Sequence, residues 1–343
     1  MTRVAINGFG RIGRTFFRMA FEHPDFEIVA INDLGDLENL AYLLRYDTVY
    51  GRSDFEVEVK DTNLLLVNGK EVKFSQVRDP LTLPWKEHDV DVVLEATGVF
   101  TGYAKSKAHL EAGAKRVVIS APVKDDPVAA GVDGATVLMG VNDDALNTCS
   151  ISSNASCTTN ATSPLISILK AGIGIEKAVL NTVHAYTASQ SIVDGPKKDF
   201  REGRAAAQNI IPTSTGAAIA TTIAHTDLTG KFDGIAMRVP VPVGSMVDVT
   251  FIASRETTVE EVNKVMKDAA ASKAWQKLFA VTEEPLVSSD IIGARYASIA
   301  DLAFTRVVDG NLVKVLAWYD NETSYTHTLV EHVAAVSKFL SRK

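Results

Sequence analysis

The sequence predicts an α/β chain in two parts, a doubly wound parallel sheet followed by an α+β domain with a mostly antiparallel sheet. Three observations carry this. An apolar strand pattern over residues 4–7 runs into Gly8-Phe9-Gly10-Arg11-Ile12-Gly13 and then into apolar residues at helical spacing. Short apolar strands and helical stretches then alternate as far as residue 153, the pattern of parallel strands joined by helices. From about residue 178 the strands lengthen and the loops become irregular, which is the pattern of an antiparallel or mixed sheet.

Each element of the first part has a local reason. Gly8 permits the tight turn after the first strand, Gly10 lets backbone approach a pyrophosphate, and Gly13 lets helix and strand pack closely. Ile12, Phe16, Phe17, Ala20 and Phe21 give the next helix one apolar face. Its N-terminus is a ready site for the pyrophosphate. Residues 27–32 form a second strand ending at Asp33, which lies 20 positions past Gly13, where a dinucleotide fold needs an acceptor for ribose hydroxyls. A carboxylate there repels a 2′-phosphate, and Leu34, Gly35 and Asp36 offer no balancing arginine. NAD is therefore favoured over NADP.

Residues 90–96 read as a buried strand ending at Thr97-Gly98. A helix over 105–112 follows, then a strand over 115–120 ending at Ser120, and shorter strands over 135–139 and 150–153. Ligands of open α/β sheets bind at the carboxyl ends of the strands, so Thr97, Gly98 and Ser120 are candidate cofactor contacts.

The octapeptide Ser153-Asn154-Ala155-Ser156-Cys157-Thr158-Thr159-Asn160 places one of only two cysteines just before a helical stretch over 161–170. A thiol at a helix N-terminus meets unpaired N–H groups and the positive end of the macrodipole, and both favour the thiolate. With Cys149 as the only other cysteine and no secretory leader pattern, free thiols in a reducing cytoplasm are expected.

Composition narrows the function classes. A chain of 343 residues suggests two domains, and 46% hydrophobic with 22% charged residues is a soluble globular balance. A net charge of −7 argues against a nucleic-acid or anionic-membrane surface. No run is long enough to span a membrane, and no metal is expected.

In the second part, strands are expected over 178–184, 234–243, 247–252 and 312–319. His184 ends the first of these, and an imidazole beside a thiolate would make an activated pair. Thr215-Gly216 opens a helical stretch, a second candidate anion site. Arg238 lies in an apolar strand, where its charge needs an acid or an anionic ligand. The loop over 187–207 is long enough to suggest function.

Together, the residue 7–14 motif, the octapeptide, His184-Ala185-Tyr186-Thr187, Arg238-Val239-Pro240 and Trp318-Tyr319-Asp320-Asn321-Glu322 resemble phosphorylating glyceraldehyde-3-phosphate dehydrogenases. The resemblance implies a Rossmann-type NAD-binding domain over 1–156, a catalytic domain over 157–321 and a returning C-terminal helix over 322–343. It implies Cys157 as nucleophile and His184 as base. Arg11, Ile12, Asp33, Arg78, Ser120 and Asn321 match NAD contacts. Ser156, Thr158, Thr215 and Gly216 would hold attacking inorganic phosphate, and Thr187 and Arg238 the phosphate of glyceraldehyde 3-phosphate. Arg201 and Arg204 receive no assignment. The product would be 1,3-bisphosphoglycerate and the assembly a cytoplasmic homotetramer. Ala161 stands where many members carry a second cysteine. Erythrose-4-phosphate dehydrogenase and a non-catalytic NAD-bound redox sensor are the competing readings.

Overall fold

Alternating strands and helices build the first part in chain order: β1 (Thr2–Asn7), α1 (Arg11–Ala20), β2 (Phe26–Asn32) and α2 (Leu37–Arg45). A small ribbon, β3 (Tyr46–Asp47) with β4 (Gly51–Arg52), precedes β5 (Val57–Asp61), β6 (Leu64–Val67) and β7 (Lys70–Ser75). Then come β8 (Val92–Glu95), α3 (Tyr103–Glu111), β9 (Arg116–Ile119), β10 (Gly134–Thr136) and β11 (Ile151–Ser153). The computed structural model describes residues 1–340. Met1–Ala155 with the segment from Thr326 forms one compact unit, and Ser156–Tyr325 forms another.

The first unit holds a nine-stranded sheet in the order β10-β11-β9-β8-β1-β2-β7-β6-β5. Every junction from β10 to β7 is parallel, whereas β7–β6 and β6–β5 are antiparallel. Strand order reverses at β1, which lies between β2 and β8; this switch point opens a crevice at the strands' carboxyl ends. β8 and β9 are buried along their whole length, as parallel strands covered on both faces must be. A cluster of Ala5, Val29, Ala30, Leu83, Trp85 and Val93 forms part of the core.

The second unit contains α4 (Cys157–Gly172), β12 (Ile175–Ala185), β13 (Ile211–Ser214), α5 (Ala217–Thr222), β14 (Phe232–Val239) and β15 (Ser245–Ala253). It continues with α6 (Val259–Ala270), β16 (Phe279–Thr282), β17 (Ser298–Val308) and β18 (Leu312–Tyr319), and α7 (Thr323–Leu340) starts here. Its seven-stranded sheet runs β13-β14-β12-β15-β18-β17-β16, parallel only at β12–β14 and β16–β17. Alternate residues of β15 and β18, Val247, Val249, Phe251, Val313 and Val315, are buried in one cluster with Ala161, Leu165, Ile166 and Leu169 of α4. The long helix thus fills one face of the sheet.

Several boundaries differ from the sequence expectation. α4 begins at Cys157 rather than at 161, because the Ser156 hydroxyl accepts from Thr159 N–H and caps the helix there. β14 spans 232–239 rather than 234–243 and stops before Pro240, which has no N–H to give a ladder. β10 spans 134–136 rather than the expected 135–139, and α3 begins two residues before the expected start. The strands β5, β6 and β7, which extend one edge, were not anticipated, although Phe55-Glu56-Val57-Glu58-Val59-Lys60 alternates apolar with polar residues into β5.

Candidate active site

Cys157 is the first residue of α4 and lies two positions after Ala155, which holds a left-handed φ of 55°. The side chain therefore sits where the helix still has N–H groups without intrahelical acceptors. His184, near the end of β12, is 4% exposed, and its Nε2 lies 3.3 Å from the Cys157 sulfur. The strand register pairs His184 directly with Arg238 of β14. That pairing sets an Arg238 guanidinium N–H 2.6 Å from His184 Nδ1, so the arginine's partner is the imidazole and not an acid.

Two groups compete for Nδ1. The Ala185 carbonyl oxygen lies 2.6 Å away and needs a proton on that nitrogen, whereas Arg238 can only donate and needs a lone pair there. With the proton at Nδ1, Nε2 is a free base facing the sulfur. With it at Nε2, the ring donates to a thiolate. Either way the ring is neutral: burial first, then the Arg238 charge, pushes His184 down to about 3.

The thiol departs from the sequence expectation. Burial pushes Cys157 up, against the opposing pull of Arg238 and of the N–H and hydroxyl groups of Thr158. The helix start favours the thiolate as expected, but the enclosure outweighs it. Cys157 keeps part of its surface open to solvent, unlike the Tyr319 ring beside it, which is fully enclosed and whose phenol is pushed up by burial. The Tyr319 hydroxyl bonds Thr158 Oγ1 at 3.0 Å and Thr182 Oγ1 at 2.9 Å, tying α4 to β12. Tyr319 was missed as a site residue, although its inward position at the end of an alternating strand could have revealed it.

The remaining anion-site candidates of the second unit are engaged locally. Ser156 Oγ caps α4, and Thr158 Oγ1 is taken by Tyr319, leaving backbone N–H groups for a ligand. Thr215 Oγ1 accepts from Ala217 N–H, and Gly216 precedes α5 as its N-cap. The Thr187 N–H donates to Gln190 Oε1, and its hydroxyl is 3.1 Å from Ser189 Oγ. Arg238 Nε is buried without a partner, an unmet donor beside the Cys157–His184 pair. Arg204 pairs with Asp194 at 2.9 Å on the exposed loop. Asn321 Oδ1 accepts from Gly244 N–H and the Ser245 hydroxyl, so this carboxamide is fixed within the second unit.

In the first unit, Gly8, Gly10, Asp33, Arg78 and Thr97 line one cavity of about 290 Å³ with Asn7, Asn32 and Leu34. Apolar Val77, Pro80, Leu83, Val99 and Phe100 complete its walls; no motif marked them. Gly8 has a φ of +96°, and a Cβ there would lie 2.5 Å from Thr97 N. A Cβ at Gly13 would lie 2.1 Å from Gly8 O, whereas one at Gly10 would meet open space. So Gly8 and Gly13 serve the turn and its packing, and Gly10 leaves room above it. Asp33 accepts from Phe9 N–H at 2.6 Å and Gly35 N–H at 2.8 Å, which ties it to the glycine turn. The Arg11 guanidinium pairs with Asp47 at 2.9 Å. Gly98 and Ser120 follow β8 and β9 at the same carboxyl edge, and Ser120 N–H bonds Glu95 O.

Among the described residues, no helix is long and apolar enough to cross a membrane. Residues 2–103 match the family model for the glyceraldehyde 3-phosphate dehydrogenase NAD binding domain, and residues 156–321 match the model for its C-terminal domain. The chain is similar to glyceraldehyde-3-phosphate dehydrogenase of Geobacillus stearothermophilus, 49% identical over 98% of both chains. It is 47% identical to glyceraldehyde-3-phosphate dehydrogenase 1 of Bacillus subtilis, again over 98% of both, and 48% identical to the Clostridium acetobutylicum enzyme over 98% of this chain and 99% of that one. The chain belongs to the glyceraldehyde-3-phosphate dehydrogenase family of NAD-dependent oxidoreductases.

Proposed function

We propose that the protein oxidises D-glyceraldehyde 3-phosphate with NAD and inorganic phosphate to 1,3-bisphosphoglycerate, through a thioester on Cys157. The observation that carries this reading is the 3.3 Å approach of His184 Nε2 to the Cys157 sulfur at the start of α4. Family membership supports the reaction class. The first unit is the NAD-binding domain and the second the catalytic domain.

The cradle fits the cofactor. Gly10 leaves space for backbone to approach a pyrophosphate, Gly8 and Gly13 make the turn, and Asp33 supplies acceptor oxygens. Arg11, Ile12, Arg78, Thr97, Gly98, Ser120 and Asn321 complete the proposed contacts. When bound, NAD supplies the hydride acceptor.

The chain's own groups perform the rest. The Cys157 sulfur adds to the aldehyde carbon, and the resulting oxygen takes a proton to give a hemithioacetal. His184 Nε2 accepts that hydroxyl proton as the carbon is oxidised, which leaves a thioester. The Cys157 N–H at the helix start stabilises the oxyanion as it develops. An oxygen of inorganic phosphate, held by Ser156, Thr158, Thr215 and Gly216, attacks the thioester carbonyl and expels the thiolate. Thr187 and Arg238, with its unmet Nε donor, hold the phosphate of the substrate.

The reading includes a cytoplasmic homotetramer. What supports assembly is the second face of the seven-stranded sheet, where Val179, Ile235 and Leu312 are exposed opposite the buried cluster. The deciding assay follows NADH formation from glyceraldehyde 3-phosphate with and without inorganic phosphate, against erythrose 4-phosphate. Turnover that ignores phosphate, or prefers erythrose 4-phosphate, overturns the assignment.

A further inference from the structure

A chain of buried polar groups runs through the first unit, and the reaction as described does not use it. Glu95, the last residue of β8, is 1% exposed. Its Oε2 accepts from Asn7 Nδ2 at 2.6 Å and faces His109 Nε2 at 3.0 Å. Its Oε1 accepts from Thr97 N–H at 2.8 Å and from the Thr97 hydroxyl. The Trp85 indole N–H can only donate, and it reaches His109 Nδ1 at 3.0 Å. That contact makes Nδ1 the acceptor and places the ring proton on Nε2, toward Glu95. Four donors therefore converge on the two oxygens of one carboxylate.

The chain continues on the other side. Asn7 Oδ1 accepts from Asn32 Nδ2 at 2.7 Å, and Asn32 Oδ1 accepts from the Ser75 hydroxyl and Val77 N–H, both at 2.9 Å. It thereby links the carboxyl ends of β8, β1, β2 and β7. Asn7, Asn32, Val77 and Thr97 are also walls of the cavity beside Gly8 and Asp33. The Gly8 turn rests directly on Thr97 backbone, and Gly13 at the start of α1 rests on Gly8.

We infer that Glu95 is a positioning residue for the cofactor: by holding Thr97 through two bonds and Asn7 through a third, it fixes the surface on which the Gly8–Gly13 turn is stacked. This rests on the first unit binding NAD in that cavity. Only a carboxylate suits the place. A glutamine matches it in size, but its NH2 must face either Asn7 and His109 or the Thr97 N–H. In each orientation donor meets donor, and Trp85 prevents His109 from changing tautomer.

The test compares wild type, Glu95→Gln, Trp85→Phe and Asp33→Ala by NAD titration, steady-state kinetics and the rate of Cys157 alkylation. Glu95→Gln is expected to raise the NAD Kd and KM by about tenfold or more. Its kcat at saturating NAD, its KM for glyceraldehyde 3-phosphate and its alkylation rate stay at wild-type values. Trp85→Phe, which keeps the apolar volume and removes only the far donor, weakens NAD in the same direction by less. Unchanged NAD affinity in Glu95→Gln while Asp33→Ala weakens it overturns the inference and leaves the NAD site standing. If Asp33→Ala also has no effect, the site itself is wrong. Equal losses in kcat and alkylation reduce Glu95 to a structural role. If Glu95→Gln does not fold, folded Trp85→Phe with wild-type NAD affinity overturns the inference.

Discussion

His184 Nε2 stands 3.3 Å from the Cys157 sulfur, while Arg238 and the Ala185 carbonyl contend for the ring's other nitrogen. The imidazole and the thiol are thus held together within one unit, and the position of the ring proton is set from the far side of the ring. The expected consequences can be measured.

Cys157→Ser removes the sulfur but keeps the helix start. A hydroxyl is far less ionised than a thiol, so turnover should fall by about a thousandfold or more. NAD titration should be unaffected, since the cradle belongs to the other unit. Retained NADH production would remove Cys157 from its role.

Arg238→Ala removes the positive charge that pulls the Cys157 thiol down and also depresses His184. The midpoint for alkylation of Cys157 should move to higher pH. The KM for glyceraldehyde 3-phosphate should rise by roughly tenfold to a hundredfold, as a charge-assisted phosphate contact is lost. An unmoved alkylation profile would show that the guanidinium does not act on the pair.

Acid should destabilise the protein well above the carboxylate range. His184 and His332 are both buried and pushed down to about 3, so the folded state refuses protons that the unfolded chain accepts. Their contribution is complete above the unfolded value and is lost as pH falls from 6.5 toward 3. Between pH 7 and 5 each should contribute a loss of about 2 kcal/mol. Urea unfolding at the two pH values measures it. His332→Gln should remove about half of the combined histidine slope, and an identical slope would contradict the assignment.

Asp33→Gly should narrow the preference for NAD over NADP, because the carboxylate that repels a 2′-phosphate is gone. The ratio of kcat/KM for the two cofactors reads it directly. A ratio that does not move places the discrimination elsewhere.

Gly8→Ala should cost about 2–4 kcal/mol of stability, because the residue holds a φ of +96° and its new methyl would lie 2.5 Å from Thr97 N. Gly10→Ala should be nearly neutral in stability, since nothing lies within 4 Å of its Cβ position, but should weaken NAD. Equal melting temperatures for the two variants would refute this division of roles.

The parts legible in the sequence are those whose cause is local. Gly8, Gly10 and Gly13 between a strand and a helix announce a turn that only glycine can make, and the acid after the second strand follows from the same unit. The alternation in residues 312–319 reads as a strand because its two faces differ. Long-range causes leave no such trace. His184 meets Cys157 across 27 positions only because β12 and α4 share one sheet face, and Arg238 meets His184 through a parallel register with β14. The thiol's raised pKa could not be read either, since enclosure is a property of the packed unit and not of the octapeptide. Glu95 looked like an ordinary strand end; its four donors come from β1, α3 and its own turn.

The chain passes from one unit to the other at Ala155–Ser156 and back at Tyr325–Thr326. The unit that begins at the N-terminus is therefore finished last during synthesis. The earlier strands cannot complete their unit until His332 is made, since it bonds Ser152 and Asn154 just upstream of Cys157. A chain ended before Thr326 would keep Cys157 and His184 but leave the strand leading to Cys157 unfastened. A cut at either crossing alone cannot free one unit as a single continuous piece.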